Sequence, residues 1–107
     1  MKRVAMVIDV KPEKLEEYRE LHAAVWPDVL AALRRNGVRN YSIFLKDCTL
    51  FGYLEFEGDD YEAAMARVAD DEATQRWWKL TEPCQQPWPG RSPNEWWADM
   101  EEVFHVD

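Results

Sequence analysis

The chain has 107 residues, with 13 Lys and Arg against 21 Asp and Glu and a net charge of −8. That length suits one domain, residues 1–107, with a modest core and no room for a second. A balance so acidic argues against nucleic acid or an anionic membrane surface as partner, because both are bound through clustered Lys and Arg. No run approaches the roughly 20 apolar residues of a membrane span, and Met1-Lys2-Arg3 leads into a strand pattern with no signal-peptide core. Cys48 and Cys84 stand alone, without metal or redox spacing, so a reducing cytoplasm is the expected setting.

In chain order, Arg3 to Val10 alternates, with Val4, Met6, Ile8 and Val10 on one face, and predicts a first strand. Ala5 and Val7 suggest that the other face is partly covered as well. Pro12 suits the first turn of a helix, which is expected to run through His22 towards Val25. Leu15, Tyr18, His22, Val25 and Val29 step by three and four along its apolar stripe. Trp26-Pro27 interrupts it, and Pro27-Asp28 restarts a helix to about Asn36, stopped by Gly37. Asn40 to Lys46 and Thr49 to Glu57 read as two strands of a hairpin joined at Asp47-Cys48. Asp59-Asp60 supplies a cap for a helix over about Tyr61 to Ala69, and Asp70-Asp71 breaks it and starts another over about Glu72 to Thr81. Pro83 to Pro93 carries four prolines and a glycine and is expected to be a loop. Val103-Phe104-His105-Val106 is expected to close the sheet. The order β-α-β-β-α-β is that of a ferredoxin-like plait, an α+β fold with helices on one face of a four-stranded antiparallel sheet. Ala5, Val7, Phe44, Phe51 and Tyr53 make the other sheet face apolar too, which calls for a partner such as a second copy.

Three constellations carry chemistry. Tyr18, His22 and Trp26 are four apart and share one helix face. They join the residue type that titrates near neutral pH to a phenol and an indole where a core or pocket should be. A packed core histidine with its nitrogens bonded is the plainer alternative. Trp77 and Trp78 leave their helix about 100° apart, so they read either as one core and one surface residue or as a stacking platform and its neighbour. Trp88, Trp96 and Trp97 lie in or beside the proline-rich segment and point to an ordered lid or a dimer contact. Glu101-Glu102 reads as a solvated edge. There is no phosphate loop, no HExxH, no paired-Cys motif, and His22 and His105 with scattered acids make no recognisable metal site.

Taken together, Glu17-Tyr18 with His22 and Trp26-Pro27, Asn40-Tyr41-Ser42-Ile43, Gln75-Arg76-Trp77-Trp78 and Glu102-Val103-Phe104 resemble the L-rhamnose mutarotase family over the whole domain. The resemblance implies a dimeric α+β barrel of two plaits packed sheet on sheet, with a 6-deoxy sugar pocket in each subunit. It implies His22 as proton donor, with Tyr18, Tyr41, Trp77 and Trp78 contacting the sugar. The chain departs from the family in the tryptophan-rich segment from Trp88 to Trp97. Anomer exchange needs a proton delivered to the ring oxygen and one removed from the anomeric hydroxyl. An imidazole serves the first, with Tyr18 or a water at the second, and neither cofactor nor metal is required. L-fucose is the nearest alternative substrate. A small monooxygenase on the same dimeric barrel and a non-catalytic ligand-binding protein are the readings from other classes.

Overall fold

The alternation of the first ten residues is realised as strand β1 (Lys2–Val10), with Val4, Met6, Ile8 and Val10 buried. The computed structural model describes residues 1–107. β1 pairs antiparallel with β3 (Thr49–Phe56), from Lys2 opposite Phe56 to Asp9 opposite Thr49. β3 forms a hairpin with β2 (Val38–Lys46) through a turn in which Asp47 takes φ of 55°. Strand order is β2-β3-β1-β4, the expected plait.

Four helices cover one face. Pro12 opens a short 3-10 turn that runs into α1 (Leu15–His22). α1 ends three residues short of the expected Val25, because the residue before a proline is driven out of the helical region. Trp26 accordingly sits at φ −62°, ψ 135°. α2 (Pro27–Arg35) then restarts the helix, and Gly37 follows at φ 89°. A Cβ there would lie 2.3 Å from the Glu57 carbonyl oxygen, so no other residue fits. α3 (Tyr61–Asp70) and α4 (Glu72–Thr81) are capped by Asp60 and Asp71, whose carboxylates accept the Ala63 and Thr74 N–H groups.

β2 starts at Val38 rather than at the expected Asn40, and its register slips between Arg39 and Ser42, with Asn40 at φ 48°. This bulge reverses the parity of the strand. Val38 before it and Ile43 and Leu45 after it all pack into the core under the helices, while Phe44 is turned outward and 62% exposed. On that outer face Phe44 lies opposite Phe51, with ring centroids 6.4 Å apart.

Two expectations fail at the C-terminal side. The proline-rich segment is not all loop: a 3-10 turn (Glu82–Cys84) leads into β4 (Gln85–Gln86), which pairs with Val10 and Asp9. The closing strand is not Val103–Val106 but β5 (Ala98–Met100), which shares that edge of β1. The register explains the second correction. With Met100 opposite Ala5, the next residues run out at the start of β1. Glu102 reaches Arg3 at 2.7 Å, and Val103, Phe104 and Val106 lie beyond the sheet, 87%, 78% and 71% exposed. No helix is long and apolar enough to cross a membrane.

Candidate functional site

A cavity of about 530 Å³ lies between the inner sheet face and the helices, within the roughly 300–1,000 Å³ usual for small-molecule sites. Met6, Ile43 and Leu54 form its floor, and α2 contributes Val29, Leu30 and Leu33. Tyr18, His22, Tyr41, Trp77 and Trp78, the five residues expected at a site, all line it. A more open groove lined by Asp9, Lys11, Glu13, Asp47 and Thr49 holds none of them. No three His, Cys, Asp or Glu side chains converge as metal ligands.

His22 is the last residue of α1, and its Nδ1 is 3.0 Å from the Tyr18 carbonyl oxygen one turn back. A carbonyl only accepts, so Nδ1–H donates and Nε2 keeps its lone pair. The ring is held on two sides. Tyr18 stacks on it at 4.1 Å and 23°, and Trp77 meets it edge-on at 5.4 Å and 67°. Trp26 in turn packs against Trp77 at 5.2 Å. Burial pushes the His22 pKa below its ordinary value and outweighs the opposing effect of the Tyr18 carbonyl. The imidazole is therefore neutral at pH 7.

Burial acts oppositely on the phenols. It pushes Tyr18 up to about 12, against a side-chain hydrogen bond from Gln85 that holds it down. Tyr41 is 37% exposed, and burial raises its pKa as well. Both remain protonated donors at neutral pH. Tyr41 reaches the cavity on the same alternation as Ile43, just past the β2 bulge. The adjacent tryptophans divide: Trp77 is 5% exposed, packed with Val29 and Ala73, and Trp78 is 36% exposed at the rim.

Trp96 and Trp97, expected in a lid or a dimer contact, complete the wall together with Gln85 and Glu82, its one carboxylate, which the sequence left unassigned. The Trp96 indole N–H donates to Gln85 Oε1 at 2.7 Å. Trp97 rests over Gly52, where a Cβ would stand 3.4 Å from its ring and 3.1 Å from Met6 Cγ. Of the three indoles in this segment, Trp88 does not reach the cavity. The indole density was the available signal for Trp96 and Trp97; nothing marked Gln85. Glu102 is the exposed edge residue expected, paired with Arg3.

A family model described as L-rhamnose mutarotase matches residues 3–106. A protein from Oceanobacillus iheyensis named L-rhamnose mutarotase is 38% identical, with 100% of both chains covered. The crystal structure of an L-rhamnose mutarotase from Formosa agariphila superposes with a TM-score of 0.78 at 29% identity, again over 100% of both chains. Tetracenomycin F2 cyclase from Streptomyces glaucescens has a TM-score of 0.75 at 16% identity, over 100% of this chain and 98% of its own, and shares the fold alone. Family match, full-length identity and superposition coincide, and the chain belongs to the L-rhamnose mutarotase family.

Proposed function

We propose that the protein interconverts the α and β anomers of L-rhamnose, with His22 and Tyr18 as the proton-transferring pair. The observation that carries this reading is a neutral imidazole anchored through Nδ1 and stacked on a protonated phenol in an apolar cavity. Neutral His22 Nε2 accepts the proton of the anomeric hydroxyl. The O–H electron pair becomes the second bond of the new carbonyl, the bond from the anomeric carbon to the ring oxygen breaks, and the ring oxygen takes a proton from the Tyr18 phenol or an adjoining water. The aldehyde turns about its bond to the next carbon. The ring oxygen then adds to the opposite carbonyl face, its proton returns to Tyr18, and His22 gives its proton to the new anomeric hydroxyl. His22 thus accepts during opening and donates during closing, which accommodates the donor role implied by the family resemblance.

Tyr41 would hydrogen-bond a sugar hydroxyl, Trp78 would stack on the apolar C–H face, and Trp77 would border the sugar while holding the imidazole. The functional unit is a homodimer acting in the cytoplasm, where the two free thiols stay reduced. Exposed Phe44 and Phe51 on the outer sheet face and exposed Val103, Phe104 and Val106 in the tail support the dimer. The test is magnetisation-transfer proton NMR on equilibrated L-rhamnose, L-fucose and a control hexose. Accelerated exchange is expected for L-rhamnose above the others. Equal rates with and without protein would overturn the activity, and fastest exchange with L-fucose would change the substrate. Light scattering should give twice the chain mass; a monomer at micromolar concentration would refute the packed-sheet dimer.

A further inference from the structure

On the mutarotase reading, on which this inference rests, His22 and Tyr18 serve the anomeric centre and Tyr41 one further hydroxyl. The remaining sugar hydroxyls need partners elsewhere in the wall, since a polar group taken out of water without a hydrogen bond counts against binding. Several polar atoms of the wall are already committed to the chain. His22 Nδ1 donates to the Tyr18 carbonyl, the Thr74 hydroxyl donates to Asp71 at 2.9 Å, and Gln85 Oε1 accepts from the Trp96 indole. Two consecutive residues at the end of α4 are not committed. Thr81 is 4% exposed and lines the cavity, and its hydroxyl bonds to nothing in the chain. Every fully buried side-chain N or O atom has a partner, so this hydroxyl opens on the cavity. Glu82, the one carboxylate of the wall, likewise has neither an ion pair nor a side-chain hydrogen bond.

The backbone holds both in place. Thr74, Trp77, Trp78, Thr81 and Glu82 follow the i, i+3, i+4, i+7, i+8 spacing of one helix face, and all five line the cavity. Glu82 keeps helical angles of φ −59° and ψ −40°, and its N–H donates to the Trp78 carbonyl. Its side chain therefore stands one turn, about 5.4 Å, beyond the Trp78 indole. Trp77, one turn back from Thr81, is the residue that meets the imidazole. A helical turn is about the reach of a pyranose from its anomeric oxygen to the hydroxyls across the ring. We propose that Thr81 and Glu82 form the subsite for the ring hydroxyls remote from the anomeric carbon, those on C3 and C4. The carboxylate only accepts, and the threonine hydroxyl both donates and accepts. The pair thus matches a diol, whose O–H groups donate to Glu82 while one of its oxygens accepts from Thr81. Trp78 beside them covers the C–H face. Neither residue touches the reacting bonds; both hold the ring so that its anomeric centre meets His22.

The experiment compares Glu82→Ala, Glu82→Gln, Thr81→Val and Thr81→Ser by L-rhamnose exchange kinetics and by tryptophan fluorescence titration, with the 3-deoxy and 4-deoxy analogues of L-rhamnose run alongside. Glu82→Ala should raise KM and the fluorescence Kd together by roughly tenfold, the loss of a charge-assisted hydrogen bond at a solvated rim, with kcat nearly kept. Glu82→Gln retains one acceptor and should lose less. Thr81→Val should raise KM severalfold, while Thr81→Ser, which keeps the hydroxyl, should stay at the parental value. On the analogue that lacks the hydroxyl held by Glu82, the difference between parent and Glu82→Ala should vanish. An unmoved KM in Glu82→Ala, or a difference that persists undiminished on both analogues, would overturn the subsite. Equal losses in Thr81→Ser and Thr81→Val would overturn it as well, by making Thr81 a packing residue. Glu82 is exposed, so its variants keep the fold and decide the matter even where Thr81→Val does not fold. A parent that neither exchanges nor binds L-rhamnose would remove the mutarotase reading and this inference with it, whereas an exchanging parent with indifferent Glu82 variants would remove the inference alone.

Discussion

On one side of the cavity Tyr18, His22 and Trp77 hang from α1 and α4, locked by ring-on-ring packing and by apolar contacts to Val29 and Ala73. On the other side Gln85, Trp96 and Trp97 come from a segment with only two residues in β4 and three in β5. That wall is held by hydrogen bonds, from Trp96 to Gln85 and from two backbone N–H groups to Glu95. The contrast separates placement from adjustment. The helical wall sets the imidazole at a fixed angle, because a helix spaces its side chains by geometry alone. The other wall brings Trp96 in through a hydrogen bond to Gln85, and only Trp97 of its two cavity indoles packs against the core.

The largest expected effect lies on the helical wall. His22→Asn keeps a polar group of similar reach but cannot carry a proton at neutral pH. Exchange should fall by about 10²–10⁴, the usual contribution of one general acid–base group, with the thermal midpoint little changed. A variant with a lowered midpoint and full exchange per folded molecule would make His22 a structural residue. Next in size is Gly52→Ala beside the floor, where the new Cβ would crowd Met6 Cγ at 3.1 Å and touch the Trp97 ring at 3.4 Å. Overpacking of this kind costs about 1–3 kcal/mol, and a Trp97 pushed into the cavity should also raise KM. Urea unfolding together with exchange kinetics separates the two, and an unchanged KM would show that Trp97 does not depend on the missing side chain.

How much of this contrast could be read beforehand follows from the same geometry. Tyr18 and His22 fall on periods of three and four, so their face was legible, as was the break at Trp26-Pro27, whereas the choice between Trp77 and Trp78 for the inner position was left open. Alternation puts Tyr41 on the face of Ile43 and Leu45, but the bulge that lets Val38 share that face has no signature beyond Asn40. Gln85-Gln86 pairs with β1 through its backbone and carries no hydrophobic pattern, so the turn signals around it prevailed. Val103 to Val106 alternates well enough for a strand and is apolar enough for a core. What it lacks is a partner, since β1 begins too late to meet it, and register is a long-range fact that alternation does not encode.

Smaller effects sharpen the contrast. Asp71→Ala removes the cap that the Thr74 N–H and hydroxyl both share at 2.9 Å, and it should lower the unfolding midpoint modestly while exchange per folded molecule stays intact. Retention of the midpoint would mean that α4 is held by packing alone. Smaller still in global stability, Glu95→Ala should leave the midpoint unchanged and speed hydrogen exchange at the Ser92 and Asp99 amides. The N–H of Ser92, ahead of the other contacts, holds the Glu95 carboxyl below its usual range. Its contribution is therefore present above the ordinary carboxylate pKa and is lost as pH falls through the lowered value. Acid should accordingly speed exchange at the Ser92 and Asp99 amides in the parent and add nothing once Glu95 is Ala; the same acid response in both would show that the carboxylate does not tie this wall.

The central claim is that a neutral, Nδ1-anchored imidazole moves the proton, and nitrogen NMR of the histidine rings tests it most directly. With only two histidines in the chain, the signals of His22 separate from those of His105 once either is substituted. Because burial lowers the His22 pKa, folding favours the neutral ring. The stability linked to it is full above the unfolded value of about 6.5 and is lost as pH falls through the lower native one. The account predicts a neutral ring protonated at Nδ1, a native pKa below the ordinary histidine value, and L-rhamnose exchange that falls on the acid side together with the His22 titration. A ring protonated at Nε2, or exchange that continues undiminished after His22 has become charged, would contradict it.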